Sequence, residues 1–353
     1  MKIGIVTIYG EYNYGNKFQN YAIKKMVENI NNDNIVYTIR PKLTNKQKLI
    51  SLLIKYGIGK YRKFQNDSFD KKKIYSFQSF SKKYLNVVTY KNLKKLNNQY
   101  DYFLAGSDQI WNTNGFKGRM LDFYLLKFAS DKKRIAIAPS LGTGKIGLEQ
   151  VKQFKRELPK FKKLSCRELG SVKVIEKYSM GNKCIKLSDP TMGLDKNEWE
   201  LIRTKANGKP REPYIFCYFL GKLDKEINEQ INKVKSNNII INVMKKDNIE
   251  MFSNDPGQFI DLLADAQLIL TDSFHGCVFS IIYNKPFVVL HTLDRKNMED
   301  RICSLLKEFN FEDRWIDNVK YDDLYKMNFT YANKKLKDEY EKLNNYLKGA
   351  LDT

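Results

Sequence analysis

The feature that most constrains this chain is a repeated order of apolar strand, short polar loop and helix. The first instance is an opening strand at 3–8, a turn rich in glycine and asparagine, and a helix on which Phe18, Ala22 and Met26 recur at helical spacing. The same order returns at 100–112, 134–144 and 163–169. Strands that alternate with helices predict a parallel sheet with its functional groups in loops at the carboxyl ends of the strands.

A break in this order divides the chain. It follows Asp189-Pro190, and a new series of strands begins at 213–221 and continues at 238–244, 266–272 and 286–292. With 353 residues, 42% of them hydrophobic, the chain can bury two cores. We therefore predict an α/β protein of two Rossmann-like domains in a glycosyltransferase-B-like architecture. The first is 1–194, with a basic helical insertion at about 42–96, and the second is 195–353, with a trailing helix.

The formal net charge of +22 narrows the classes of partner. It arises from 62 Lys and Arg against 40 Asp and Glu, and it attracts nucleic acid, anionic lipid or phosphorylated substrates. The sequence contains no helix-turn-helix, zinc or RNA-sheet signature, so we expect no nucleic-acid partner. It gives no prediction of the oligomeric state.

The N-terminus and the cysteines bear on the compartment. MKIGIVTIYG reads as a buried strand rather than an export signal, and no apolar run is long enough to span a bilayer. The five cysteines form no CxxC pair and have no histidine at ligand spacing, which indicates reduced thiols and no metal site. We expect a cytoplasmic protein. A basic stretch with an apolar stripe at Leu49, Leu52 and Tyr56 leaves open either packing on its own domain or peripheral contact with the inner face of the plasma membrane.

The stretch TDSFHGCVFS, residues 271–280, is the strongest candidate site. Asp272 or Ser273 is placed to cap a helix that starts near Phe274, so His275 falls in its first turn. A helix N-terminus attracts anions, and a phosphorylated substrate bound there would raise the proton affinity of the imidazole and make it a general acid. Gly276 would let a ligand approach the backbone. A packing role remains the alternative for both His275 and Gly276.

Two further residues of the second predicted domain, His291 and Cys277, are alternatives for the catalytic groups. His291 ends the following strand and is the rival acid or base, although its flanks lack a helix N-terminus. Cys277 lies close to His275 and would be a nucleophile if exposed, but a buried structural cysteine is the commoner case.

In the first predicted domain, polar side chains follow directly after the predicted strands. Ser107, Asp108 and Gln109 suit hydroxyl recognition, and Asp108 could take a proton from an acceptor hydroxyl or simply cap the next helix. Trp111 offers a flat face for a sugar ring. The guanidinium of Arg167 matches carboxylate or phosphate, with an ion pair to Glu168 as the alternative. We also assign Asn16, Gln19 and Ser140 to this edge.

Six stretches together give the chain a resemblance to the polysaccharide pyruvyltransferase family, from residue 1 to about 315. They are NYGNKFQNYAI, YDYFLAGSDQIWN, IAIAPSLG, LSCRELGSV, LSDPT and DPGQFIDLLADAQLILTDSFHGCVFSIIYNKPFVVL. The resemblance implies a two-domain enzyme that moves the pyruvyl group of phosphoenolpyruvate onto two hydroxyls of a sugar as a cyclic ketal. Phosphate leaves. The acceptor would be a lipid-linked precursor of a cell-surface polysaccharide, and no metal or cofactor is implied.

The resemblance places the family's histidine on His275 and its phosphoenolpyruvate-contacting arginine on Arg167, and the remaining roles are predicted from the residues themselves. His275 is the catalytic acid and Asp108 the candidate base. The donor would be bound by Arg167, Ser273, Gly276 and Lys285, and the acceptor by Asn16, Gln19, Ser107, Gln109, Trp111 and Ser140. Many members have arginine and leucine where this chain has Ser273 and Phe274, so one cation is missing. Either Lys285, Arg295 or Lys296 replaces it, or the donor differs.

Two other functions stay open at this point. One is a nucleotide-sugar glycosyltransferase of surface polysaccharide synthesis with the same architecture. The other is a non-catalytic basic protein that binds membrane or nucleic acid, which predicts steep salt dependence and no product.

Overall fold

The computed structural model describes residues 1–10, 13–42, 67–142, 145–222, 225–235, 238–292 and 296–351. The contacts divide the chain into two compact units. Unit 1 comprises Met1–Asp67, Gln78–Leu194 and Glu339–Thr353, and unit 2 comprises Ser68–Phe77 and Asp195–Asp338. Two segments group differently from the sequence-based domains, because the end of the trailing helix belongs to unit 1 and part of the basic insertion to unit 2.

Unit 1 is built on one parallel sheet whose spatial strand order differs from the order of the strands along the chain. Seven strands of the described residues pair in the order β3-β2-β1-β4-β5-β6-β7, and every pair is parallel. They are β1 Lys2–Val6, β2 Ile35–Pro41, β3 Val87–Tyr90, β4 Tyr102–Ala105, β5 Arg134–Ala136, β6 Phe161–Cys166 and β7 Cys184–Lys186. The strand order reverses between β1 and β4, and ligands of such sheets bind beyond the carboxyl ends of the strands at this point.

Helices connect these strands. They are α1 Tyr14–Ile30, α2 Ser68–Tyr84, α3 Gly118–Tyr124, α4 Leu148–Glu157 and α5 Leu169–Glu176. The side chain of Asn13 accepts a hydrogen bond from the backbone N–H of Asn16 and so caps α1 directly after β1. Ile3, Ile5 and Phe103 are fully buried, as expected for a parallel sheet that is covered on both faces.

Unit 2 has a smaller parallel sheet in the order β11-β10-β8-β9. Its strands are β8 Tyr214–Tyr218, β9 Ile239–Asn242, β10 Leu268–Thr271 and β11 Phe287–Val289. The helices that follow in chain order are α6 Lys196–Glu200, α7 Lys225–Lys235, α8 Ile249–Phe252, α9 Pro256–Asp265, α10 Phe274–Ile282, α11 Lys296–Phe309 and α12 Thr330–Ala350. The predicted α/β class with two Rossmann-like sheets is therefore confirmed.

Two observations concern the predicted contact with a membrane. The stripe of Leu49, Leu52 and Tyr56 lies outside the described residues, which resume at Asp67. Across the described ranges, every helix is too short or too polar to cross a bilayer.

A buried lysine anchors the start of α2 to the rest of unit 2. The ammonium of Lys73 donates to the carbonyl oxygen of Val243 at 3.2 Å and lies 4.2 Å from the ring centroid of Phe252. Burial lowers the pKa of Lys73 from 10.5 to about 7; the nearby Asp70 opposes this shift and Lys246 adds to it.

Replacing Lys73 with methionine should change how stability depends on pH. Between about pH 7 and pH 10.5 the unfolded chain keeps a proton on Lys73 that the folded chain has released, so the free energy of unfolding rises with pH across this window. In Lys73→Met this rise disappears. We expect the variant to be more stable than the wild type at pH 7 by on the order of 2 kcal/mol, with the difference vanishing towards pH 10.

Urea unfolding at several pH values measures this effect. Lys72→Met is the matched control, because Lys72 is the exposed neighbour on the same helix and its replacement should leave the pH dependence unchanged. A constant difference between Lys73→Met and the wild type at every pH would contradict the assignment.

Candidate active site

The carboxyl edge of the unit 2 sheet carries His275 as the sequence predicts. β10 ends at Thr271, and α10 begins at Phe274 with Ser273 as its N-cap, whose side chain accepts from the N–H of Gly276 at 3.4 Å. His275 is half-buried in the first turn, and its ring meets that of Phe274 edge to face with 5.4 Å between centroids. The predicted sequence of strand, cap and helix is confirmed at this position.

Asp272 ties three strand ends together instead of capping α10. Its two carboxylate oxygens accept hydrogen bonds from the N–H groups of Leu220 and Gly221, each at 2.7 Å. One of them also accepts from the hydroxyl of Thr292 at 3.0 Å. Because these partners follow β8 and β11, Asp272 fixes the loops on both sides of the candidate acid.

Gly276 serves packing, which corrects its assignment to donor binding. A Cβ at this position would lie 2.3 Å from Oγ1 of Thr271, a contact no side chain could make. That hydroxyl is itself fixed, because it donates to the carbonyl of Tyr218 at 2.6 Å and accepts from the N–H of Ser273 at 3.0 Å. The glycine therefore allows α10 to approach β10.

Lys285 lies at the wrong edge of the sheet for the predicted donor contact. It follows α10 and precedes β11, so it sits at the opposite end of the strands from His275. There it lines a surface hollow with Asp265, Gln267 and Tyr325. Burial lowers its pKa. The two other proposed substitutes are not described: Arg295 and the side chain of Lys296 lie outside the described residues.

His291 is held by carboxylates on both sides. Its Nδ1 lies 3.2 Å from Oε1 of Glu299, and its Nε2 lies 3.2 Å from Oδ2 of Asp317. The ring stacks on Trp315, with 4.3 Å between centroids and 4° between planes. Since both ring nitrogens of His291 already face carboxylates, the geometry favours a structural role for this residue. His275 remains the better candidate for the general acid.

Cys277 is excluded as the nucleophile. Its side chain is fully buried, and burial raises the pKa of its thiol, with Asp272 adding to the shift. A thiol with a raised pKa in an apolar core is inert.

In unit 1, polar side chains from α1 and from several strand ends meet at the carboxyl edge of the sheet, as predicted. The amide of Gln19 donates to Asp189 at 2.5 Å and to Ser107 at 3.3 Å. The amide of Asn16 donates to the carboxylate of Asp108. Asp189 follows β7 and is a site residue that the sequence-based predictions miss, although the strand that precedes Asp-Pro signals its position.

Asp108 has the features of a functional residue. Its φ of +71° is left-handed, which is uncommon for a residue other than glycine and clusters at functional sites. The N–H of Gln109 donates to its Oδ1 at 2.9 Å, and the N–H of Ser140 donates to its backbone oxygen at 2.8 Å. Its side chain keeps 17% exposure, so a ligand can reach the carboxylate.

Arg167 is surrounded by carboxylates, which corrects its assignment as an anion clamp. Its nitrogens lie 2.8 Å from Asp189, 3.3 Å from Glu168 and 3.9 Å from Asp108. Burial works against the charge, yet the three carboxylates raise the pKa of the guanidinium. A dianionic donor would meet an excess of negative charge here. The ion-paired alternative therefore describes Arg167 better.

Trp111 belongs to the core, so the sugar platform predicted from the sequence is wrong. It is fully buried, its indole N–H donates to the carbonyl of Tyr124 at 3.2 Å, and its ring packs edge to face on Phe154 and Phe161. No face of the ring is open to a ligand.

The remaining predicted acceptor contacts differ in exposure. Ser107 and Ser140 are fully buried: Ser107 donates to the carbonyl of Ala138 at 3.0 Å, and Ser140 accepts from the N–H of Gly142 at 3.0 Å. Both shape the loops. Gln109 is half-buried and accepts at its side chain from Asn112 at 2.7 Å, so it stays beside Asp108 at the edge.

Several solved structures are distantly similar to this chain. An uncharacterised protein of Klebsiella pneumoniae has a solved structure that is 15% identical, covers 77% of this chain and 99% of its own, and gives a TM-score of 0.39. MurG of Acinetobacter baumannii is 8% identical, with 100% and 99% coverage and a TM-score of 0.44. The UDP-GlcNAc 2-epimerase of Neisseria meningitidis is 11% identical, with 99% coverage of both chains and a TM-score of 0.40.

The family assignment comes from the sequence itself. None of the curated proteins compared with this chain matches it. A family model of polysaccharide pyruvyl transferases, by contrast, matches residues 13–292, which include the polar edge of unit 1 and the histidine of α10. The chain belongs to the polysaccharide pyruvyl transferase family.

Proposed function

We propose that this protein transfers the pyruvyl group of phosphoenolpyruvate onto two hydroxyls of a saccharide, forming a cyclic ketal and releasing phosphate. Membership of the pyruvyl transferase family supports the reaction class. The observation that carries the proposal is His275 in the first turn of α10, at the carboxyl edge of a parallel sheet. An imidazole there is next to N–H groups that attract a phosphate or carboxylate.

Unit 2 binds the donor in this proposal. Phosphoenolpyruvate carries a phosphate and a carboxylate, and the positive end of α10 favours both charges. A bound dianion would raise the proton affinity of His275 and prepare it as a general acid. Ser273 contributes by capping the helix, which fixes the direction of its first turn.

Unit 1 binds the acceptor. The cluster around Arg167 combines Asp108, Glu168 and Asp189 with one guanidinium, and this balance suits neutral hydroxyl groups better than an anion. Carboxylate and amide groups at such an edge can accept hydrogen bonds from sugar hydroxyls. Asp108 is partly exposed, and the N–H of Gln109 holds its carboxylate, so we assign it as the base.

The proposed steps balance in atoms and charge. His275 gives a proton to the methylene carbon of the enol phosphate, and this carbon becomes the methyl group of the ketal. Asp108 takes a proton from a sugar hydroxyl as its oxygen attacks the adjacent carbon. The bond to phosphate breaks, and the second hydroxyl closes the ring. One hydroxyl proton replaces the one that His275 gave, and the other leaves with phosphate.

The acceptor in this proposal is a lipid-linked saccharide, and the reaction takes place on the cytoplasmic side of the membrane. The amphipathic stretch at 49–56 and the charge of +22 support peripheral contact with anionic lipid. Co-sedimentation with vesicles of anionic or zwitterionic lipid measures this contact separately from catalysis.

Incubation with phosphoenolpyruvate and a panel of lipid-linked and soluble saccharides tests the function. We expect release of phosphate that depends on the saccharide, together with a gain in saccharide mass equal to one pyruvyl ketal. Asp108→Asn is expected to lower this release by about 100-fold or more. Consumption of a nucleotide sugar in place of phosphoenolpyruvate would contradict the proposal and favour a glycosyltransferase.

A further inference from the structure

A cation from a neighbouring helix reaches the candidate donor site of unit 2. The guanidinium carbon of Arg301, on α11, lies 4.9 Å from the ring centroid of Phe274. The same ring meets the imidazole of His275 edge to face. Phe274 is the first residue of α10, so Arg301 lies beside the first turn of that helix.

This placement gives the site a chemistry that the helix alone lacks. A guanidinium that rests on an aromatic ring keeps its charge, and its planar fork remains suited to two oxygens of a carboxylate or phosphate. The aromatic contact also restricts the long side chain, so less rotational freedom is lost when a ligand binds. Arg301 thus adds positive charge beside the first turn of α10.

We infer that Arg301 binds an anionic group of the donor, with Phe274 as the residue that positions it. The inference rests on the proposed function, because it identifies the group that recognises an enol phosphate carrying a carboxylate. It assigns to α11 the cation that was expected from Lys285, which lies at the opposite edge of the sheet.

The position of Arg301 explains why the sequence does not reveal it. It follows His275 by a strand and part of a second helix, and no loop signature marks it. Only the packing of α11 against α10 brings the two together. Its cation–π contact with Phe274 is the observation that identifies it.

Binding measurements on the full chain test this inference. Isothermal titration with phosphoenolpyruvate, inorganic phosphate and pyruvate compares the wild type with Arg301→Gln and Arg301→Lys. We expect Arg301→Gln to weaken phosphoenolpyruvate binding by about 10- to 100-fold, because a hydrogen bond to a charged group is lost. Arg301→Lys should recover part of that loss, since it keeps the charge without the fork. The phosphate and pyruvate arms show which anionic group the guanidinium holds.

Lys307→Gln is the matched control, because Lys307 is an exposed cation on the same helix. Its donor affinity should equal that of the wild type. A long-range effect of charge alone would weaken binding in both glutamine variants and would overturn the inference.

The outcomes separate this inference from the proposed function. If the wild type binds phosphoenolpyruvate and Arg301→Gln binds it equally well, the role of Arg301 is wrong while the proposed function stands. If the wild type binds no phosphoenolpyruvate, the proposed function fails and takes the inference with it. A purely structural role would lower the melting temperature of Arg301→Gln and Phe274→Leu alike without changing donor affinity in the folded fraction.

Discussion

Replacement of His275 with glutamine is expected to lower the rate of phosphate release by about 100- to 10,000-fold, the range that removal of a general acid produces. The side chain is half-buried in the first turn of α10, and its ring contacts Phe274. Glutamine keeps a polar group of similar reach but cannot deliver a proton to carbon. We therefore expect a fall in kcat with little change in donor affinity, as measured by saturation kinetics on phosphoenolpyruvate.

His291→Gln is the matched control for this prediction, because the chain contains only these two histidines. His291 already has carboxylates at both ring nitrogens, so its loss should leave kcat within a few fold of the wild type. Equal losses in the two variants, or a larger loss in His291→Gln, would overturn the assignment of the acid.

The local environment of His275 could be predicted because its signals are local. An apolar run that ends in Thr271, a small polar residue at Ser273 and an apolar helix after it define strand, cap and helix within a dozen residues. The same reasoning places Asp108 after β4. Each inference needs only the order of residues along the chain, which is why the parallel-sheet architecture and its carboxyl edges follow from the sequence.

The side-chain roles that the sequence predicts wrongly depend on packing between secondary-structure elements. Trp111 follows a strand end, as a ligand-stacking residue would, but Phe154 and Phe161 enclose it from helices and strands far along the chain. In the sequence, Gly276 indicates a position where a ligand approaches the backbone. In the structure, Oγ1 of Thr271 lies beside it and explains the glycine by packing. Arg301 is the converse case, since an ordinary helical arginine becomes relevant only through its contact with Phe274.

The candidate sites of the two units differ in the charged groups that they offer to a ligand. One guanidinium faces Asp108, Glu168 and Asp189, so carboxylates outnumber the cation within this cluster. Lys17 and Arg40, which lie against the ring of Tyr9, add positive charge elsewhere at the same edge. Unit 2 instead offers the positive end of α10 and Arg301. A dianionic donor requires positive charge at its site, whereas a neutral sugar requires only hydrogen-bond partners.

Replacement of Arg167 with methionine is therefore expected to destabilise unit 1 by about 3–5 kcal/mol, the range for removal of one partner from a buried ion pair. Asp189 is almost fully buried, and its carboxylate would keep Gln19 and Thr191 as donors but lose its cation. Urea unfolding, with hydrogen exchange at β6 and β7 as the local measurement, quantifies the loss. Arg119→Met, at an exposed position on α3, should cost less than about 0.5 kcal/mol.

A second substitution separates stability from donor binding at Arg167. In Arg167→Met with Asp189→Asn, the uncompensated charge is removed while an amide remains next to Gln19, so part of the lost free energy of unfolding should return. Affinity for phosphoenolpyruvate should stay close to that of the wild type in every folded variant. A stable Arg167→Met that binds the donor at least tenfold more weakly would instead make Arg167 the anion clamp, because the carboxylates around it would then contribute little to the fold.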